Sequence, residues 1–315
     1  MRGFLIGLGV VVVLLVGALW YFSDPDIPRA TLEAKYATPP SEFIMLPDGA
    51  RAHVRDQGNK SGPVLVLIHG SNASLFTWEP WVKRLGNSYR IVTMDLQGHG
   101  LTGAVPNHDY TQEGMVKFVD EVVAKLGISK FALGGNSMGG GVVARYAEEH
   151  PDKVSALILV DAGGEPGKMG DHVPLAFKLA RMPVLNKLLL FITPRSIVKE
   201  GLNDAIVHKE IITDKMIDQY WEFARMTGSR EANGERFQLP FTNDVKEHIG
   251  DIKAPTLILW GEEDHLIPVA SAYAFHKDIP GSKLIVYPAT GHIPMEEVPD
   301  RSAADVRAFL TAVEK

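Results

Sequence analysis

The pentapeptide Gly135-Asn136-Ser137-Met138-Gly139 constrains this chain more than any other stretch. An apolar run, Phe131-Ala132-Leu133, precedes it, and Gly140-Gly141-Val142-Val143-Ala144 follows. The pattern predicts a short strand feeding a helix through a turn with glycine on both sides of one serine. A serine at the tip of so sharp a turn needs neighbours without Cβ, because the backbone is strained and the two segments pack closely. Such a turn lifts Oγ clear of the sheet edge and aims amides of the helix N-terminus at anything bound there. Alone, the pattern also suits an ordinary glycine-rich loop. Its meaning depends on what else the chain supplies.

A hydroxyl is a weak nucleophile until a base takes its proton, and the base needs an acid to fix its tautomer. The C-terminal third offers both, each just past an apolar run. Thr256-Leu257-Ile258-Leu259-Trp260 leads into Gly261-Glu262-Glu263-Asp264, and Lys283-Leu284-Ile285-Val286-Tyr287 leads to Gly291-His292. Open parallel sheets place their ligand-handling groups at the carboxyl ends of strands. Ser137, Asp264 and His292 also stand in the nucleophile-acid-base order of one hydrolase architecture, which differs from the chymotrypsin and subtilisin orders. Other assignments stay open at this point. Asp161 ends another apolar run at 156–160, Glu262 and Glu263 flank Asp264, and most of the 11 histidines must be structural. Negative charge needs its own place. The run 64–68 ends in His69-Gly70-Ser71-Asn72, and the amides of Ser71 and Met138 are expected to form a two-donor oxyanion hole. One such donor is worth about 3 kcal/mol of transition-state stabilisation. His69 reads as a structural histidine that holds this loop.

These pieces together resemble the α/β-hydrolase superfamily. The resemblance is carried by His69-Gly70, Asp95-Leu96-Gln97-Gly98-His99-Gly100, the serine elbow, Trp260-Gly261-Glu262-Glu263-Asp264 and Gly291-His292, and it covers residues 43–315. It implies a mostly parallel sheet with helices on both faces and Ser137, Asp264 and His292 as the catalytic triad. Asp95 and His99 correspond to structural loop residues beneath the site, and no cofactor or metal is expected. Members that dehalogenate or open epoxides carry aspartate where this chain has Ser137. Serine points to acyl-enzyme chemistry on an ester, thioester, lactone or amide, or to carbon-carbon hydrolysis. The Gly-Asn-Ser-Met-Gly-Gly elbow is similar to that of meta-cleavage-product hydrolases, which break such carbon-carbon bonds. Those relatives usually follow the catalytic histidine with tryptophan, whereas Ile293-Pro294-Met295 follows here. That departure favours an esterase.

Organisation and composition fit this reading. A chain of 315 residues with 45% apolar and 22% charged residues can build one large domain with an inserted subdomain. A net charge of −6 without a basic stripe argues against nucleic acid as a partner. The chain has no cysteine, which excludes disulfides and thiolate metal sites. Strands are expected at 51–54, 64–68, 91–94, 131–133, 156–160, 256–259 and 284–286, with helices at 112–126 and 140–150 between them. The strand rhythm stops between 162 and 242. Helix-like stretches at 175–179, 184–191 and 215–226 suggest a cap over 163–242, inserted between core segments 43–162 and 243–315. Phe177, Phe191, Trp221, Phe223 and Met226 are candidates either to line a pocket or to pack on the core.

Residues 3–22 carry no charge and end in Trp20-Tyr21-Phe22. Twenty residues of helix reach roughly 30 Å, the thickness of a bilayer's hydrocarbon core. The expectation is an uncleaved transmembrane anchor at 1–22, with a cleaved signal peptide as the competing reading. Arg2 before the span and Asp24 and Asp26 after it put the amino end in the cytoplasm. The catalytic domain would then face the periplasm of a bacterial inner membrane. Residues 23–42 read as a linker with room for one short helix. The functional expectation is a membrane-anchored serine hydrolase of small to medium carboxylic esters. Carbon-carbon hydrolysis, acyl transfer or perhydrolysis, and a non-catalytic receptor are the alternatives.

Overall fold

The computed structural model describes residues 23–164, 191–239 and 249–314, together with Gly17, Lys178 and Met182. Eight strands form one sheet: β1 (Ser41–Met45), β2 (Arg51–Gly58), β3 (Val64–Ile68), β4 (Arg90–Met94), β5 (Phe131–Asn136), β6 (Val154–Val160), β7 (Thr256–Gly261) and β8 (Lys283–Tyr287). Their order is β1-β2-β4-β3-β5-β6-β7-β8, and β2 alone runs against its neighbours. The central strands are continuous apolar runs because both faces are covered. In β3, Val66 and Ile68 join a cluster with Val116, Val119 and Val142, while Leu65 and Leu67 join one with Trp78, Trp81 and Val306. That split follows from the two-residue period of a strand.

The first cluster draws on helices Gln112–Lys125 and Met138–Glu149, and the second on Glu79–Leu85 and Pro299–Val313. Parallel order with helices on both faces puts the carboxyl ends of β3, β5, β6, β7 and β8 at one edge. Ser137, Asp161 and Asp264 all follow those ends, as does the loop leading to His292.

All seven expected strands are present. The eighth, β1, was hidden because it is an edge strand with mostly half-exposed residues and little alternation. It begins at Ser41, at the end of the linker expected over 23–42, and the one short helix that this linker had room for is α1 (Arg29–Tyr36). Leu32 and Tyr36 of α1 are buried with Leu101, Phe223 and Met226, and Ile27 pairs with Met226 as a parallel bridge. Arg29 donates to the carbonyls of Leu101 and Thr102 at 2.6 and 2.9 Å. Two buried side chains four residues apart are too sparse a signal to separate a packed helix from a linker.

The span expected at 3–22 lies outside the described residues apart from Gly17. Among the described residues no helix is long and apolar enough to cross a membrane. In the cap interval, residues 191–239 are helical: α2 (Arg195–Ala205), α3 (Asp214–Ala224) and α4 (Ser229–Gln238). The stretches expected at 175–179 and 184–190, including Phe177, lie outside the described residues apart from Lys178. Phe191 is exposed. Phe223 and Met226 pack on α1, and Trp221 Nε1 donates to the Thr193 carbonyl at 2.6 Å.

Candidate active site

Ser137 joins β5 to helix Met138–Glu149 with φ 54° and ψ −121°. An L-residue pays about 1–3 kcal/mol to stand in so sparsely populated a region, so its surroundings must over-determine it. They do. The Ser137 amide donates to the Val160 carbonyl at 3.1 Å, and its own carbonyl accepts from Gly163 and Gly141 at 2.7 and 3.2 Å. A Cβ on Gly135 would stand 2.3 Å from the Gly139 carbonyl oxygen, and one on Gly139 would stand 2.4 Å from that of His69. The glycines are therefore required by close approach of main chain to main chain.

Asn136 is buried beside the serine and does work that the pattern did not reveal. Its Nδ2 donates to the Val160 carbonyl at 3.1 Å and to the His292 carbonyl at 3.0 Å. It thereby ties the elbow to the loop that carries the histidine. No local sequence signal marks this role, because the two ends are 156 residues apart.

His292 Nδ1 donates to Asp264 Oδ2 at 2.7 Å, with both side chains almost wholly buried. Asp264 Oδ1 accepts from the amides of Leu266 and Ile267 at 2.8 and 3.0 Å, which fixes the carboxylate before the histidine meets it. Glu262 and Glu263 point to solvent, so the competition they posed in sequence disappears on folding. Their amides instead bond Tyr287 and Thr290 and hold the Asp264 loop against the His292 loop.

Asp161 lies close by but in another role. Its Oδ1 accepts from the Gly261 amide at 2.9 Å. Burial first, and then the negative charge of Asp264, push its carboxyl well above the ordinary range, so the neutral acid is favoured. Metal-type donor atoms of Asp161, Asp264 and His292 converge within 4.8 Å of one another. Hydrogen bonds engage Asp161 Oδ1 with Gly261 and join Asp264 Oδ2 to His292 Nδ1.

The His292 loop has two further supports, and both tie it to the cap. The His292 amide donates to the Ala205 carbonyl at the end of α2, at 2.7 Å. Glu297 accepts from Gly291 at 2.8 Å through Oε1, and from Val207 and His208 at 2.7 and 3.0 Å through Oε2. Glu297 is a second residue that the sequence reading passed over.

The loop after β3 runs against the elbow. A Cβ on Gly70 would meet Asn136 Oδ1 at 2.8 Å and Ser137 Cβ at 3.0 Å, so Ser71 follows a point of direct contact with the serine. Met138 is the first residue of its helix. His69 accepts from the Leu96 amide through Nε2 at 3.0 Å, so Nδ1 carries the proton toward the Gly70 carbonyl at 2.7 Å. Burial lowers the pKa of His69 and takes that of His99 well below the histidine range, so both are neutral props. Asp95 is fully buried and accepts from Leu75, Leu101 and His53.

The sequence of residues 63–299 matches the model of the alpha/beta hydrolase fold family. The chain belongs to that family and is a hydrolase. Among its relatives is Lipase 1 of Psychrobacter immobilis, 27% identical over 275 residues that cover 86% of this chain and 84% of the relative. A 2-hydroxy-6-oxononadienedioate/2-hydroxy-6-oxononatrienedioate hydrolase of Comamonas testosteroni is 28% identical, covering 77% and 85%. A solved structure of a membrane phospholipase A, a bacterial virulence factor, is 25% identical, covers the whole of both chains and superposes with a TM-score of 0.75.

Proposed function

We propose that this hydrolase cleaves carboxylic esters through an acyl-enzyme on Ser137. One observation carries the reading: a serine in a left-handed elbow is tied, through its neighbour Asn136, to the loop of a buried His292–Asp264 pair at 2.7 Å. Ser137 Oγ attacks the carbonyl carbon while His292 Nε2 takes its proton. Asp264 holds Nδ1–H in place and stabilises the imidazolium. The amides of Ser71 and Met138 receive the oxyanion. Collapse of the tetrahedral intermediate expels the alcohol with the proton from His292. Water then attacks the acyl carbon, with His292 as base, and frees the acid.

The likeness to a lipase and to a membrane phospholipase A supports an ester substrate, and the uncharged stretch 3–22 supports a membrane anchor with the catalytic domain outside the inner membrane. The Comamonas relative keeps carbon-carbon hydrolysis as a second reading. Against it stands Ile293, where those relatives usually have tryptophan.

The test uses the detergent-solubilised full chain. A fluorophosphonate probe should label Ser137, and p-nitrophenyl and acylglycerol esters should turn over far faster than a vinylogous 1,5-diketone. Preference for the diketone would transfer the chain to the carbon-carbon class. N-terminal sequencing of the membrane fraction checks the anchor, and a soluble mature chain beginning near Ser23 would reject it.

A further inference from the structure

Arg236 stands near the end of α4 in the cap, yet its side chain reaches the reaction centre. Its Nη2 donates to Ser71 Oγ at 2.7 Å, and its Nη1 lies 3.7 Å from Met138 Sδ. These partners are 165 and 98 residues away in sequence. Its own helix fixes the guanidinium as well. Asn233 Oδ1 accepts from Nη2 at 3.2 Å, and the Phe237 ring lies 4.2 Å from the guanidinium carbon. One cap side chain therefore grips both residues whose amides would bound an oxyanion. Its charge also reaches the layer beneath, where it adds to burial in holding His69 and His99 neutral. His69 in turn bonds the Gly70 carbonyl next to Ser71.

We propose that Arg236 is a positioning residue for the oxyanion hole, so that the hole is complete only when α4 is seated on the core. This rests on the serine-hydrolase reading above. The physical argument concerns precision. A hydrogen-bond donor aimed at developing charge must be held within about 0.5 Å, and a loop is a poor platform for that. Gly70 brings no side chain to anchor the loop, and Asn72 at φ 58° marks a tight bend just beyond Ser71. A planar guanidinium with two fixed donors on one face can lock the loop and the helix start together. An ammonium is a point charge and cannot hold both.

The experiment compares full-length wild type with Arg236→Gln, Arg236→Lys, Ser71→Ala and the Arg236→Gln/Ser71→Ala pair. Each is measured for kcat and KM on a p-nitrophenyl ester, for inhibition by an alkyl trifluoromethyl ketone, and for amide hydrogen exchange in the peptide spanning 69–75. Arg236→Gln should lower kcat about 30-fold with KM changed less than about threefold, and should weaken the ketone by a similar factor. Arg236→Lys should recover little of this. The double variant should be no worse than Arg236→Gln alone, and exchange in 69–75 should rise about tenfold in each. A raised KM at constant kcat would make Arg236 a substrate-binding group and overturn the proposal, as would additive effects or unchanged exchange. Ser71→Ala keeps the coupling testable from the core side should the cap variants fold poorly. Absence of fluorophosphonate labelling in wild type would refute the ester mechanism itself, while the exchange data still decide whether Arg236 orders the loop.

Discussion

The elbow and the cap hold the same reaction centre by different means. Around Ser137 the contacts are main chain against main chain: Gly135 on Gly139, Gly139 on His69, and the serine's own amide and carbonyl bonded to Val160 and Gly163. At the cap they are single polar side chains that cross long stretches of sequence, with Arg236 on Ser71 and Glu297 on Val207 and His208. Backbone contacts leave no latitude in residue type, so they write themselves into a short motif. Side-chain staples can be made by several residues from several places, and no local pattern announces them. The first kind of region should fail abruptly on substitution, and the second by degrees.

The largest expected effect tests the core. Ser137→Ala should leave folding intact and lower ester turnover by about four to six orders of magnitude. Asp264→Asn should cost about 10⁴, because the wrong histidine tautomer is then favoured. Asp161→Asn keeps a neutral, hydrogen-bonding group where the neutral acid is already favoured, and should cost less than about tenfold. Steady-state kinetics on one ester ranks all three. An Asp161→Asn loss as large as that of Asp264→Asn would show that the buried acid, rather than its neighbour, governs His292.

The next effect is on stability. Gly139→Ala would push a methyl to within 2.4 Å of the His69 carbonyl oxygen and 2.5 Å of that of Ile68, neither of which can give way without moving β3. The expected loss is about 3–4 kcal/mol, seen as a lower denaturant midpoint. By contrast Gly127, with open space around a Cβ, has only its positive φ of 68° to lose, and Gly127→Ala should cost about 1 kcal/mol. A Gly139→Ala loss no larger than that of Gly127→Ala would mean that the main chain around the elbow can give way to a Cβ.

This contrast also explains what the sequence made legible. The central strands were readable because burial on both faces demands unbroken apolar runs such as 64–68 and 156–160, and the edge strand β8 was readable because Leu284-Ile285-Val286 is itself apolar. Ser137, Asp264 and His292 were singled out because each follows a strand end within a few residues of glycine. Strand β1, the other edge, was not, since its polar start and mostly half-exposed residues make no such run. Asn136 sat inside the motif unread, because its partner is the His292 carbonyl at the far end of the chain. Arg236 and Glu297 were invisible for the same reason. The packing of segment 23–42 was not legible either, since its anchors are distant in sequence: Arg225 to the Pro25 carbonyl, Arg230 to that of Asp24, and Arg29 to those of Leu101 and Thr102.

That segment gives a test of the graded kind. A chain lacking residues 1–22 should keep ester turnover and stability close to those of the full chain. Removing 1–36 uncovers Phe223 and Met226, and loses Leu32, Tyr36 and the Tyr36 hydroxyl bond to Glu222 at 2.8 Å. About 3 kcal/mol of buried apolar surface goes with it. The shorter chain should melt about 5 °C lower and lose part of its activity, because α3 and α4 are then less firmly seated. Identical melting of the two truncations would mean that 23–36 rests on the cap without supporting it.

The smallest expected effect lies where core and cap meet. Glu296 accepts from Thr77 Oγ1 at 2.5 Å, with Glu297 next to it and Tyr220 of α3 close enough to feel its charge. Burial, against the help of Thr77, pushes its carboxyl from an ordinary value of 4.5 up to about 7. The folded chain therefore keeps a proton that the unfolded chain gives up over this interval. Stability is fully present below about pH 4.5 and falls as pH rises toward 7. Glu148, half-buried in the last turn of helix Met138–Glu149 and also pushed to about 7 by desolvation, adds a contribution of the same sign. Glu296→Gln removes one of the two slopes and Glu148→Gln the other. Melting curves between pH 5 and 8 should show wild type losing about 2–4 °C more than either variant across that range. A Glu296→Gln curve parallel to wild type would place this carboxyl in water, and with it would open the seam that α3 is taken to close.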